Sequence, residues 1–335
     1  MKMELKKIKP YLLFLSGGIF LVVLLQAALS FVLPADLQQK LNFSKKLTAS
    51  VVSAYDGITL EARAAYVFDI PSSKVLYAFN ENEKLPLASV TKLMTAFVAR
   101  ERAPESALLV LTPDDLAAEG DSGLRVGERW RLGDLLNAML IISSNDAAHG
   151  VARFVGAEEQ PVADNLQADA RAHFIQMMNS TAQELGLKQM EFFNESGLDI
   201  DGTTPTKGLP ATATATATAG GYGSAHDVAV LFSALWKKYP ETVDITALPA
   251  ARIVSEDNIA HVLPNTDEAI GKFSGLVASK TGYTTLAGGN LAIIFDRGIN
   301  DPVVAVVLGS TQKGRFDDMA KLVVATGKVE IPAAK

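Results

Sequence analysis

Strand patterns lie at both ends of the region that follows residue 60, and helix patterns lie between them. Short apolar runs bounded by turn residues occur at 64–68, 75–79, 275–280, 290–295 and 303–308. The first two runs are separated by Pro71, Ser72 and Ser73, which are typical of a hairpin turn. This order predicts an α/β (α+β) fold, in which one antiparallel sheet unites the two ends of the region and is flanked by helices. A mostly helical subdomain is expected between them, at about 115–250.

The middle of the chain repeats its apolar residues with the period of a helix. The clearest stripe starts just after Pro86 and consists of Val90, Leu93, Met94, Phe97 and Val98. Ser89 and Lys92 lie on a neighbouring stripe three residues apart, so they face the same way. A second helix pattern runs over 132–140 and stops at the polar cluster 143–146, which is typical of a tight connection that caps the next helix.

Three short motifs occur in one order: S-x-x-K at 89–92, S-x-N at 143–145 and K-T-G at 280–282. Together they indicate acyl transfer by a serine nucleophile, Ser89, whose hydroxyl needs a base within hydrogen-bond reach. The four histidines are scattered without ligand spacing and are interpreted as surface or capping residues. Lys92 is therefore the candidate base, provided that burial or the positive charge of Lys280 lowers its pKa.

The second motif supplies groups that could assist the reaction. Ser143 could relay a proton between Lys92 and a leaving amine. The amide of Asn145 can both donate to and accept from a substrate peptide bond.

The third motif reads as the end of a strand against which a peptide could bind. Gly282 would let another backbone approach closely, as an added strand requires. Lys280 and Thr281 offer donors for a substrate carboxylate. The oxyanion hole would come from backbone N–H groups, most simply those of Ser89 and Tyr283.

The first 35 residues predict a membrane anchor. Lysines at positions 2, 6, 7 and 9 precede an uncharged run over 10–35, whose apolar centre at 11–33 would form about 35 Å of helix. The lysines would hold the N-terminus in the cytoplasm, which leaves the remainder extracytoplasmic. A cleaved signal peptide is the alternative, because Ala28-Leu29-Ser30 resembles a cleavage site. Residues 36–60 would be a linker, and 61–328 the main domain.

The composition of the chain excludes several classes of partner and site. The net charge of −6 disfavours a nucleic-acid partner, and the lack of cysteine excludes disulfides, thiolate zinc sites and a thiol nucleophile. Residues 203–224 are of low complexity and include an alternating Ala-Thr run at 211–219. A flexible surface insertion is the preferred interpretation of this stretch over a strand, since alanine is a poor strand former and glycines follow.

From about residue 62 to 309, the chain resembles the low-molecular-mass penicillin-binding proteins of the D-alanyl-D-alanine carboxypeptidase type, serine peptidases of family S11. The three motifs match the active-site signature of penicillin-binding proteins. Further similar segments are E-K-L-P-L-A-S-V-T-K-L-M-T-A at 83–96, F-N-E-S-G-L at 193–198, S-A-H-D at 224–227 and K-T-G-Y-T at 280–284.

The resemblance implies a β-lactamase/transpeptidase-like fold and a role for each motif. Ser89 would be acylated by a peptidoglycan stem peptide ending in D-Ala-D-Ala, and water would then release the shortened peptide. Lys92 would be the base, Ser143 and Asn145 would assist, and Lys280 with Thr281 would hold the terminal carboxylate. β-Lactam antibiotics would be covalent inhibitors, and no metal or cofactor is expected.

Three other functions remain open at this point. A D,D-endopeptidase that cleaves peptidoglycan cross-links would use the same residues. A class A β-lactamase would need a glutamate in an E-x-x-L-N context, and Glu191 and Asn194 are one residue too close together for that. A wall-binding protein with an inactive site is disfavoured, because every motif side chain is present.

Overall fold

The computed structural model describes residues 54–117, 119–120, 122–158, 166–200 and 217–329, together with Leu37, Lys40 and Lys45. The chain divides into two units, Tyr55–Gly327 and the combined ends Met1–Ala54 with Lys328–Lys335. The sheets and the helices that cover them lie in the first unit.

The strands of the described residues form one large sheet and several small ones. In chain order they are β1 (Ala64–Asp69), β2 (Lys74–Phe79), β3 (Leu85–Pro86), β4 (Leu108–Val110), β5 (Arg129–Arg131), β6 (Glu191–Phe192), β7 (Gly221–Gly223), β8 (Ala250–Val254), β9 (Ala260–Pro264), β10 (Leu276–Thr284), β11 (Gly288–Asp296) and β12 (Pro302–Ser310). The large sheet has the order β10-β11-β12-β1-β2 and is antiparallel throughout. Since β1 pairs with β12, the sheet unites strands from both ends of the domain, which confirms the predicted antiparallel sheet flanked by helices.

Six of the α-helices in the described residues lie between β2 and β10, and a seventh follows β12. They are α1 (Lys92–Arg102), α2 (Leu132–Ile141), α3 (Asn145–Glu158), α4 (Leu166–Glu184), α5 (Ala225–Lys238), α6 (Pro240–Val243) and α7 (Gly314–Thr326). Short 3₁₀ turns occur at Ala88–Thr91, Asp115–Ala117, Asp244–Ala247 and Ile270–Lys272. The periodicity after Pro86 thus marks a real helix, but its first turn is 3₁₀, and the α-helix begins at Lys92 itself.

The sheet is covered on both faces. Nearly every residue of β11 and β12 is buried, although successive side chains point to opposite faces of the sheet. Both α5 and α7 pack on these strands. Helix α5 also packs on β1, so it belongs to the sheet layers. The bounds of the helical subdomain at about 115–250 stay a prediction, and α5, which falls within them, packs on strands of the large sheet.

Two predictions need correction. The K-T-G motif lies inside β10 and not at its end, because β10 continues to Thr284 while pairing with β11. The low-complexity insertion was expected to reach residue 224, but its last residues are part of the domain. Thr218 pairs with Ile200, Ala219 is buried, and β7 lies between β3 and β6. Residues 203–216 lie outside the described part.

The predicted anchor at 1–35 and almost all of the predicted linker at 36–60 also lie outside the described residues. Within the part of the chain that the structure describes, no helix has the length and apolar character to cross a membrane.

Candidate active site

Ser89 lies on a backbone turn that is held from several sides. The Leu87 N–H donates to the Gly221 carbonyl of β7 at 2.9 Å, which fixes the start of the turn. Ala88 has a φ of +48°, a left-handed conformation that costs free energy in a residue with a Cβ. Gly197 lies against this residue so closely that a Cβ there would sit 1.9 Å from the Ala88 oxygen. The half-buried Ser89 is thus presented by a strained and tightly packed turn.

Lys92 follows Ser89 by one helical turn and is fully buried. Its Nζ lies 3.0 Å from Ser89 Oγ, 2.7 Å from Asn145 Oδ1 and 2.8 Å from the Ser196 carbonyl oxygen. Burial lowers the pKa of Lys92 to about 7, against an opposing effect of the Glu195 carboxylate. The side chain can therefore be neutral near physiological pH, as the sequence analysis required.

The three partners of Lys92 suit a neutral amine. A neutral amine has two N–H donors and one lone pair. The Asn145 Oδ1 and Ser196 carbonyl oxygens can only accept, so they take the two N–H groups. In the structure Lys92 Nζ also donates to Ser89 Oγ, and in the neutral form of Lys92 the lone pair at this position can instead accept the Ser89 hydroxyl proton. The geometry therefore assigns Lys92 as the group that can accept the Ser89 proton.

A second lysine approaches the site from the sheet. Lys280 is buried in β10, and its Nζ donates to Ser143 Oγ at 2.9 Å and to the Thr281 carbonyl at 2.9 Å. Burial, and then the positive charges of Lys92 and Arg315, lower the pKa of Lys280 well below its usual range. Because Lys280 donates to Ser143 Oγ, the Ser143 hydroxyl proton remains available for another acceptor.

Ser143 itself lies in a sharp turn between two helices. Its φ is +61°, again in the left-handed region, and it directly follows the end of α2. Ser144 caps α3, since its Oγ accepts from the Ala147 N–H at 3.0 Å. Asn145 is held at both ends of its amide, with Oδ1 accepting from Lys92 and Nδ2 donating to the Glu119 carbonyl at 2.7 Å. In this structure Asn145 therefore orients the Lys92 amine.

The edge strand β10 packs its K-T-G segment against the turn that carries Ser89. A Cβ on Gly282 would lie 2.8 Å from the Leu87 oxygen and 3.1 Å from the Ser89 nitrogen, so only glycine fits this approach. The backbone that needs the space is that of the nucleophile's turn. Thr281 Oγ1 lies 2.6 Å from Thr266 Oγ1, and Tyr283 is half exposed beside the site.

The structure thus brings all three motifs together, with contacts from Lys92 to Ser89 and Asn145 and from Lys280 to Ser143. The predicted relay from Ser143 to Lys92 is not among the hydrogen bonds of the described residues, where Ser143 Oγ instead contacts Lys280.

Several functional groups were missed by reasoning from the sequence. The Ser196 carbonyl holds Lys92, and Asn194 shapes its loop by accepting from the Gly197 N–H at 2.6 Å and donating to the Leu198 carbonyl at 2.9 Å. Arg315 is buried and donates to the Gly282 carbonyl at 2.8 Å. The F-N-E-S-G-L segment at 193–198 contains Asn194 and Ser196 and could have indicated their role. No motif in the sequence near Arg315 indicated a role for this residue.

The interpretation of the histidines as surface or capping residues is wrong for two of them. His261 is buried, with Nε2 2.6 Å from Glu128 Oε1. The His149 side chain is mostly buried, with Nε2 3.1 Å from Glu195 Oε1. Neither contacts Ser89 within the described hydrogen bonds, so Lys92 remains the candidate base.

Comparison with known proteins agrees with this geometry. A family model described as D-alanyl-D-alanine carboxypeptidase, peptidase family S11, matches residues 48–312. The D-alanyl-D-alanine carboxypeptidase DacF of Bacillus subtilis is 30% identical over 78% of this chain, and the match spans 61% of that relative's length. A D-alanyl-D-alanine endopeptidase of Pseudomonas aeruginosa is 28% identical, over 82% of this chain and 81% of its own.

A solved structure extends the comparison to the fold. Penicillin-binding protein D2 of Listeria monocytogenes, in its ampicillin-bound form, superposes with a TM-score of 0.63 at 28% sequence identity. The match covers 80% of this chain and 98% of the other. The mixed α/β architecture with an antiparallel sheet is thus that of the penicillin-binding proteins.

Proposed function

The chain belongs to the D-alanyl-D-alanine carboxypeptidase family of serine peptidases, and we propose that it removes the terminal D-alanine from peptidoglycan stem peptides. The observation that carries the proposal is the buried Lys92 amine, 3.0 Å from Ser89 Oγ and with both of its N–H groups engaged elsewhere. A buried lysine with a free lone pair beside a serine hydroxyl has the arrangement of a general base and its nucleophile.

Acylation begins when Lys92 takes the Ser89 proton. Ser89 Oγ attacks the carbonyl carbon of the penultimate residue, and the charge that develops on the carbonyl oxygen is stabilised by backbone N–H groups, those of Ser89 and Tyr283. The C–N bond then breaks, and the leaving D-alanine nitrogen takes a proton from Ser143. The proton that Lys92 took from Ser89 then replaces the one lost by Ser143, so both groups regain their starting protonation states. The Ser143 hydroxyl is suited to this because Lys280 donates to its oxygen. Water subsequently cleaves the ester on Ser89.

The substrate would bind at the edge of the large sheet. A peptide can add to the open edge of β10 as a further antiparallel strand. Its terminal carboxylate would then lie near the buried amine of Lys280 and the hydroxyl of Thr281, and the guanidinium of Arg315 donates to the carbonyl of Gly282. β-Lactam antibiotics would acylate the same serine, as the ampicillin-bound form of the Listeria protein suggests.

Release of D-alanine from a linear peptide ending in D-Ala-D-Ala tests the proposal. We expect one equivalent of D-alanine per peptide consumed, and no release by Ser89→Ala. A wild-type protein that is folded but releases no D-alanine from such peptides would refute the carboxypeptidase assignment.

Cleavage of cross-links is the second candidate function, favoured by the likeness to the Pseudomonas endopeptidase. It would use the same catalytic groups on a branched substrate. Product analysis on cross-linked and linear stem peptides, at equal concentrations, distinguishes the two. Faster cleavage of the cross-linked peptide would favour the endopeptidase.

The location of the domain is also a proposal. The basic and then apolar N-terminal sequence supports an anchor that holds the catalytic domain on the outer side of the cell membrane. Fractionation, combined with the intact mass of the membrane-bound protein, tests it. A mature protein that starts after Ser30 and is released in soluble form would indicate a cleaved signal peptide.

A further inference from the structure

A buried charged cluster lies behind the Lys92 amine. The carboxylate of Glu195 is fully buried, and its Oε1 accepts from Arg171 Nε at 3.0 Å and lies 2.7 Å from Arg171 Nη2. The same Oε1 lies 3.1 Å from His149 Nε2. The second carboxylate oxygen, Oε2, is buried and has no hydrogen-bond partner among the described residues. A single arginine is therefore the main counter-charge of this carboxylate.

The cluster is joined through the backbone to one acceptor of the Lys92 amine. Glu195 directly precedes Ser196, whose carbonyl accepts from Lys92, and its own carbonyl accepts from Thr95 Oγ1 at 2.6 Å. Thr95 lies one turn after Lys92 on α1. His149 lies one turn after Asn145 on α3, so the two residues share a face of that helix. A displacement of Glu195 would reach Lys92 through the Ser196 carbonyl and through Thr95 on α1.

We propose that Glu195 and Arg171 are positioning residues that together set how readily Lys92 accepts a proton. The Glu195 carboxylate favours the protonated lysine, and Arg171 limits that effect. This inference rests on the proposed acyl-transfer function. It concerns residues that do not touch the substrate and lie outside the three motifs.

The charges around Lys92 give the sign of the effect. The Glu195 carboxylate raises the pKa of Lys92, against the larger lowering by burial. Burial, and then the positive charges of Lys92 and Arg315, lower the pKa of Lys280. The cationic charge of Arg171 offsets that of Glu195. Without Glu195 the lysine would lose an influence that favours its protonated form. Without Arg171 that influence would be unopposed for as long as the carboxylate stays ionised.

The histidine of the cluster adds little charge of its own. Burial, and then the charges of Arg171 and Lys92, lower the pKa of His149 against the opposing effect of Glu195. The other acid that acts on it, Asp115, is paired with Arg153 at 2.8 Å. A neutral His149 leaves Arg171 as the charge that balances Glu195.

The test is the pH dependence of acylation by benzylpenicillin, measured on the full chain as the second-order rate constant. The acid limb of this profile is the pH range over which the rate constant falls as Lys92 gains a proton. Glu195→Gln keeps an acceptor for Arg171 and should move this limb to lower pH by about one unit. At a given pH on the limb, the rate constant would then be about tenfold higher. Arg171→Gln should move the limb the opposite way, and the double variant should return it toward the wild type.

The matched control is Asp69→Asn, which removes the carboxylate of another buried pair, with Arg297, that is not among the groups acting on Lys92. It should leave the midpoint of the acid limb unchanged. Shifts of opposite sign support the proposal, because loss of packing alone would lower the plateau in both variants without moving the midpoint. Should Arg171→Gln not fold, the direction of the Glu195→Gln shift decides alone.

An unmoved midpoint in Glu195→Gln, or shifts of the same sign in both variants, would overturn the proposal while leaving serine acylation intact. Absence of acylation in the wild type would instead refute the proposed function, and this inference with it. The two failures are therefore distinguishable.

Discussion

Gly282→Ala probes the close contact between β10 and the nucleophile's turn. The added Cβ would sit 2.8 Å from the Leu87 oxygen and 3.1 Å from the Ser89 nitrogen, whereas ordinary van der Waals contact starts near 3.4 Å. The Leu87 carbonyl would have to retreat by about 0.6 Å and the Ser89 nitrogen by about 0.3 Å. Both are backbone atoms, so the turn that carries the nucleophile must move.

The size of the effect follows from that displacement. Overpacking of this kind costs about 1–3 kcal/mol of unfolding free energy, which lowers the melting temperature of a domain this large by several degrees. A misplacement of about 1 Å can cost about 100-fold in rate, so a shift of half that size should slow acylation by about 10-fold or more. Stopped-flow acylation by benzylpenicillin and a thermal melt measure the two effects separately.

The matched control is Gly271→Ala, where a Cβ would meet nothing within 4 Å. It should acylate at the wild-type rate and melt within about a degree of the wild type. A Gly282→Ala protein with wild-type acylation and wild-type melting temperature would refute the reasoning, because β10 could then not lie against the Ser89 turn as described.

Three further predictions concern neighbouring groups. Acylation by benzylpenicillin should fall as the pH drops through about 7, because Lys92 then gains a proton and loses its lone pair; a rate constant that stays flat from about pH 5 to pH 9 would argue against Lys92 as the base. Gly197→Ala should lower the free energy of unfolding by about 3 kcal/mol in urea titration, since its φ is +82° and the Cβ would meet the Ala88 oxygen at 1.9 Å; an unchanged midpoint would contradict the packing. Asn145→Ala should slow acylation by about 10- to 100-fold, because it removes an acceptor that orients Lys92; wild-type kinetics in a folded variant would show that this contact is dispensable.

Much of the fold could be predicted because local patterns and tertiary packing agree. The hairpin of β1 and β2 and the three late strands appear where apolar runs are bounded by turn residues. The helix after Ser89 follows the apolar stripe that packs into the core. The pairing of β1 with β12 could also be anticipated, because strands at both ends of a domain need partners and the middle offers mainly helices.

Elsewhere the tertiary context prevailed over the local pattern. The K-T-G motif looked like the end of a strand because of its glycine, but pairing with β11 carries β10 to Thr284. The glycines at 220–223 looked like part of a surface insertion, yet β7 is a central strand of a small sheet and meets the Ser89 turn. Glycine there serves close backbone approach, which a sequence pattern does not distinguish from flexibility.

The sequence predicted the side chains of the three motifs in the candidate site. It did not predict the backbone groups and buried charges that contact them. Ser89 and Lys92 are linked by helix geometry, so their contact could be inferred from spacing alone. The Ser196 carbonyl is a backbone acceptor, which every residue possesses, so no sequence signal marks it. The contacts of Glu195 with Arg171 and His149 join distant parts of the chain, and they depend on helix packing that single-sequence patterns do not specify.

The role of Ser89 as the nucleophile can be tested by the intact mass of the full chain after addition of benzylpenicillin. We expect a mass increase of one penicillin per protein that persists for hours, lies on the peptide containing Ser89, and is absent from folded Ser89→Ala. An adduct that forms equally in Ser89→Ala would contradict the assignment of the nucleophile. An adduct that clears within seconds would point to a β-lactamase instead.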